Sequence, residues 1–146
     1  TRAHIYRSIL EAIVLTMKNH MDAMCAELNL MLDRIIVSGG GSSGVLFMQI
    51  FADVFGLPAI RNVVNGAAGL GSAICAAVAT GVYETFDAAI ANMVRVQDTF
   101  YPDEANASIY SEMNQKVYQQ ITCATDDILK KAYPIFFPTH KQPGSE

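Results

Sequence analysis

A layered α/β domain built around a parallel sheet is the fold class this sequence predicts, and three observations carry the prediction. Residues 1–30 and 103–133 repeat apolar side chains at spacings of three and four, the period of a helix with one covered face. The β-branched run Ile35-Ile36-Val37 leads into Gly39-Gly40-Gly41-Ser42-Ser43-Gly44 and then into a further apolar-periodic segment, the order strand, glycine loop, helix. Of the 146 residues 51% are apolar and 16% charged, against about 25% charged in an average soluble chain, which argues against disorder.

Each element follows from local chemistry. In the first thirty residues Ile5, Ile9, Ile13, Met17, Met21, Met24 and Leu28 share one helical face, with Arg7 and Glu11 as a surface pair on another. Residues 34–38 are continuously apolar enough for a strand covered on both faces, as in parallel sheets. Residues 45–55 form a helix closed by Gly56 as its left-handed cap, with Pro58 two positions on. Residues 59–63 supply a second strand, reached by a crossover of parallel-sheet length. Residues 67–80 form a helix of small side chains, able to press closely onto a sheet and stopped by Gly81. Thr85 caps a short helix running to about Val94, residues 95–101 are extended, and Pro102 ends them. From Asp103 a long helix carries Tyr110, Met113, Val117, Ile121, Ala124 and Ile128 along one stripe, and the polar tail 138–146 reads as disordered.

Several function classes fall away. The net charge of −4, with no basic block, does not suit a nucleic-acid partner held through phosphates. Residues 62–83 are uncharged over 22 positions, but Gly66, Gly69, Gly71 and Gly81 interrupt them, and the helix-compatible core of 14 residues fits a buried globular helix better than a membrane span. Cys25, Cys75 and Cys123 lack metal or disulfide spacing; they suit a reducing cytosol and read as small buried hydrophobes. His4, His20 and His140 are scattered, so no metal site is expected.

The glycine loop admits three readings on spacing alone. A Walker A loop requires Lys and Ser or Thr where Val45 and Leu46 stand, so that reading fails for want of a charge on the terminal phosphates. Gly39, Gly41 and Gly44 match GxGxxG, but no Asp or Glu lies between Asp53 and Glu84 to hold a ribose; Arg61 could favour a 2′-phosphate instead, giving an NADP-binding half of a dehydrogenase. The third reading is a tight turn that needs glycine only for its dihedral angles, in a non-catalytic interaction domain.

A longer pattern decides among them. Residues 38–58, with GGG, Phe47 followed by Gln49, Ala52-Asp53-Val54 and Gly56-Leu57-Pro58, resemble the FGGY carbohydrate kinases, xylulokinase-like members above all. Gly69-Leu70-Gly71-Ser72-Ala73 looks like that family's LGAA-type helix, and residues 4–11 are similar to the closing half of its second sequence signature. The resemblance runs from about Arg2 to Tyr133.

It implies an actin-like, ribonuclease H-like second domain of a sugar kinase, truncated at its N-terminus, over residues 1–137. By this resemblance the chain is the nucleotide-binding part of an enzyme moving the γ-phosphoryl group of ATP, with Mg²⁺, to a sugar or polyol hydroxyl. Gly39 and Gly40 match the glycines that line the ribose and α-phosphate, with Gly41, Ser43 and Gly44 continuing the loop. Some relatives, glycerol kinases notably, have Asn where Gly44 stands, so contact with adenine here falls to backbone or apolar packing. Glu11, Gln49 and Asp53 match family positions but read as structural. The catalytic base and sugar pocket are expected upstream, outside this chain, and no catalytic residue is expected within it. The start at Thr1 and the shortage of convincing strands suggest an incomplete domain, inactive by itself, with an open sheet edge that favours association with another copy or with upstream segments.

Overall fold

The computed structural model describes residues 1–136, and the side chains of all of these except Thr122 and Cys123; the tail expectation for 138–146 lies outside the described residues. The chain divides into two compact units, Thr1–Ser111 and a second from Glu112 onward.

The first unit is α/β. Helix α1 (Arg2–Leu28) ends at Asn29 in the left-handed conformation, φ 51°. Strand β1 (Ile35–Val37) leads through a single 3₁₀ turn (Gly40–Ser43) into α2 (Val45–Phe55), which stops at Gly56, φ 64°, as the sequence predicts. Then come β2 (Ala59–Asn62), α3 (Ala67–Ala79), α4 (Phe86–Met93), β3 (Val96–Phe100) and the start of α5 (Glu104–Met113). Thr85 caps α4 by accepting from the Ala88 N–H, and the Asp103 carboxylate does the same for the Asn106 N–H at the start of α5.

Strands β1 and β2 are parallel, with Ile36 opposite Ile60, as expected of an α/β crossover. The extended segment after residue 95 does more than the sequence suggests: it pairs antiparallel with β2, Arg61 opposite Asp98, and makes β2 the central strand of the order β1-β2-β3. The period of two places Ala59, Arg61, Asp98 and Phe100 on one face, and α2 packs there with Met48, Ile50, Phe51, Ala52 and Val54 buried. Each of the large ones contributes roughly 2 kcal/mol by burial, so α2 dominates the core.

Two expectations about coverage are corrected. The apolar stripe of α1 is exposed from Ile5 and Ile9 to Met24 and Leu28, and only Val14 and Leu15 are buried, because α1 meets α2 along a narrow strip near its middle. Helix α3 is not a buried helix in this chain: Ile74 alone is buried, Gly69 and Gly71 face open space, and Cys75 is exposed rather than a core thiol. Alanine and glycine let surfaces come close but offer little area with which to hold them there. Beside β1 lie two apolar clefts, one between it and Met17, Met21, Phe51 and Phe55, the other between it and Leu70, Ile74, Ile90 and Val94.

The second unit is helical. The long helix foreseen from Asp103 is interrupted by a π turn at Asn114–Tyr118 before α6 (Gln119–Phe136) resumes. Val117, Ile121 and Ile128 of the expected stripe are exposed. No helix among the described residues is long and apolar enough to cross a membrane.

Candidate functional site

The five glycine-loop residues singled out from the sequence, Gly39, Gly40, Gly41, Ser43 and Gly44, are all exposed and lie together where β1 gives way to α2. This is the carboxyl end of two parallel strands, the place where α/β sheets receive ligands. Gly39 requires glycine for its backbone, φ 88°, and donates its N–H to the Asn65 carbonyl beyond β2 at 2.7 Å. The chain then coils: the Ser42 N–H and hydroxyl both donate to the Gly39 carbonyl, at 3.1 and 2.7 Å, and the Gly44 N–H donates to Gly41 at 3.1 Å. Ser42, completely buried, is the floor of the loop.

Two glycines differ in what they make room for. A Cβ on Gly40 would meet nothing within 4 Å, so the space above it is open for a ligand. A Cβ on Gly41 would fall 2.7 Å from Cε1 of Phe47, whose ring lies over the turn and packs edge-on against Phe51, centroids 4.9 Å apart. Gly41 is therefore a packing requirement, Gly40 an opening.

Beneath the turn sits Arg61, 8% exposed. Its Nε donates to Asp98 at 2.8 Å and Nη2 to the other oxygen of the same carboxylate; Nη1 donates to the carbonyls of Ser42, 2.9 Å, and Ser43, 3.3 Å. The guanidinium also lies 5.3 Å from the Phe100 ring centre. The hydrogen bond with Asp98 raises the Arg61 pKa and holds the Asp98 carboxyl below the usual carboxylate range. That pairing supports the fold above the ordinary carboxylate pKa and is lost as pH falls through the lowered one. Asn65 completes the support by donating to the Ser43 hydroxyl at 3.0 Å.

This geometry corrects the reading of Arg61 as a 2′-phosphate ligand: the guanidinium is buried and its donors are committed to a carboxylate and two carbonyls. The dehydrogenase alternative loses its support with it. The roles of Arg61, Asp98 and Asn65 were missed in the sequence; the available signal was a charged residue inside an otherwise apolar strand, which demands a partner.

The remaining family-matched polar residues serve packing. Asp53, 2% exposed, accepts from the Gln49 amide at 2.8 Å, the Asp103 N–H at 2.9 Å and the Asn106 amide at 3.3 Å, tying α2 to the start of α5. Glu11 accepts from Arg7 at 2.8 Å and from the Tyr110 hydroxyl at 2.7 Å, so the pair read as a surface contact also joins α1 to α5. Burial raises the Tyr110 pKa, and the Glu11 carboxylate adds to the rise. His4 and His20 are exposed. Among the described residues no three His, Cys, Asp or Glu side chains group as metal ligands.

Known proteins can be set beside this geometry. Residues 1–80 match the model of the FGGY family of carbohydrate kinases, C-terminal domain. The chain is 53% identical over 133 residues to a protein of Escherichia coli K12 named uncharacterized sugar kinase YgcE, covering 91% of this chain and 27% of that protein. It is 31% identical to the autoinducer-2 kinase of Photorhabdus laumondii, over 78% of this chain and 22% of the other. Among solved structures, xylulose kinase from Rhodospirillum rubrum superposes with a TM-score of 0.72 at 27% identity, over 88% of this chain and 26% of the other. The chain thus spans about a quarter of the length of the relatives it matches.

Proposed function

The chain belongs to the FGGY family of carbohydrate kinases, and from that premise we propose that it is the nucleotide-binding part of an ATP-dependent carbohydrate kinase. One observation carries the proposal: a glycine turn at the carboxyl ends of parallel β1 and β2, with open space above Gly40 and its carbonyls tied down from beneath. The ribose and α-phosphate sit at Gly39 and Gly40, and Gly41, Ser43 and Gly44 continue the cradle. Adenine is met by backbone and apolar packing, since Gly44 offers no side chain.

Phosphoryl transfer depends on alignment and charge stabilisation, so this part of the enzyme positions the nucleotide. Mg²⁺, when bound with the nucleotide, would neutralise charge on the outer phosphates, and among the described residues no three His, Cys, Asp or Glu side chains group to hold it. The base that takes the proton from a sugar or polyol hydroxyl, and the wall that closes the cleft, belong to parts of the enzyme outside this chain. In this reading the chain is part of a cytoplasmic kinase.

Magnitudes give the affinity. Two backbone N–H groups on a charged phosphate supply roughly 3 kcal/mol, below the roughly 4 kcal/mol of a millimolar complex. The chain by itself therefore binds ADP at about several millimolar, and shows no sugar-dependent ADP release. An NMR titration with ADP tests this: the Gly40 and Gly41 amides shift, and Gly40→Val, whose side chain enters empty space without straining the fold, removes the response. An ADP response confined to other residues, or an unchanged one in Gly40→Val, overturns the assignment.

A further inference from the structure

We propose that Arg61 is a positioning residue for the nucleotide loop, holding the glycine turn in its receptive conformation from the side opposite the ligand. This rests on the nucleotide reading above. The turn is short of donors for its own carbonyls. Three of the six residues 39–44 are glycines in succession, so the turn is the part of the first unit whose backbone has most freedom to lose. Its internal bonds use the carbonyls of Gly39 and Gly41, which leaves those of Ser42, completely buried, and Ser43, exposed, to donors from outside the turn. A buried Ser42 carbonyl without a donor would favour an unwound loop that reaches water.

Arg61 Nη1 supplies both, at 2.9 and 3.3 Å. It can do so because the rest of the guanidinium is fixed: Asp98 holds the Nε and Nη2 edge from the neighbouring strand, and Phe100 lies along the group. The register that sets Arg61 opposite Asp98 thus aims the remaining edge at the turn. A planar fork can hold a carboxylate with one edge and carbonyls with the other; a lysine ammonium at the end of a flexible stem cannot hold both in fixed directions. The same residue links sheet pairing to loop shape, so the antiparallel strand β3, outside the glycine motif altogether, becomes part of the site.

Amide hydrogen exchange by NMR on the whole chain, with Arg61→Lys and Asp98→Asn, tests the proposal. The bonded N–H groups of Gly39, Ser42 and Gly44 should exchange about tenfold faster in both variants, while the α2 amides of Ala52 and Val54 keep their rates. ADP affinity, read at the Gly40 and Gly41 amides, should fall about tenfold. Unchanged exchange in the turn overturns the proposal, as does acceleration spread equally through α2, which marks a general loss of stability. If Arg61→Lys fails to fold, Asp98→Asn decides alone, since it keeps the guanidinium and removes only its anchor's charge. If the unsubstituted chain shows no response to ADP, the nucleotide reading fails, and the exchange data still decide whether Arg61 holds the turn.

Discussion

The α2 side of the sheet and the outward face of α1 make an instructive pair. Both are drawn in sequence by apolar residues at helical spacing, and α1 has the longer run. Yet α2 buries six of its eleven residues and α1 only Val14 and Leu15 of twenty-seven. What separates them is polar bookkeeping rather than hydrophobicity. On the α2 side a buried aspartate and a buried arginine find partners inside the chain: Asp53 in Gln49, Asp103 and Asn106, Arg61 in Asp98 and two carbonyls. Along α1 the polar tie is a single cluster, Arg7 and Glu11 on the Tyr110 hydroxyl near one end, and Ile5, Ile9, Met24 and Leu28 stand in solvent. An apolar stripe says that a face wants covering; a satisfied buried charge says what covers it.

Three substitutions test this contrast. Leu15→Ala removes the side chain through which α1 is held, 2% exposed, and should cost roughly 3 kcal/mol in denaturant unfolding followed by circular dichroism. A loss under 1 kcal/mol would mean that α1 is not fixed to α2 in solution. Asp53→Asn keeps the shape but presents an amide donor to groups that already donate, and should cost roughly 1.5 kcal/mol, with faster exchange at the Asp103 amide. No change there would put the join between α2 and α5 elsewhere. The smallest effect belongs to Ile9→Lys, within about 0.5 kcal/mol of zero, because a lysine at a position 53% exposed loses nothing to desolvation. A larger penalty, with a drop in sedimentation coefficient, would show that a second copy of the chain covers the stripe.

What the sequence made legible was mostly local. The strand–glycine loop–helix order, the Gly56 stop, the Thr85 cap and the parallel setting of β1 and β2 all depend on residues near one another in the chain, or on crossover length. Pairing of β3 with β2 was not legible, because it depends on a contact between residues 61 and 98 that no short-range pattern records. Arg61 was misjudged for the same reason: a cation near a glycine loop looks like a ligand until its distant carboxylate is known. Coverage of α1 and α3 was misjudged for another, since apolar spacing carries no information about whether the covering surface lies in these 146 residues. The five loop residues are neighbours in the chain and lie together for that reason; the three that support them lie on β2, β3 and the bend after β2.

The contact between Gly41 and Phe47 has a consequence for how such a sequence can change over time. The Phe47 ring, half-buried and edge-on against Phe51, must shift for any side chain arriving at 41. Enlargement at 41 is open only to lineages in which 47 has already become smaller, whereas shrinkage at 47 can come first at modest cost. The two positions should therefore vary as an ordered pair among descendants of this chain, with 47 changing ahead of 41. Reconstructed ancestors carrying the larger residue at 41 beside an aromatic at 47 should be rare and poorly folded.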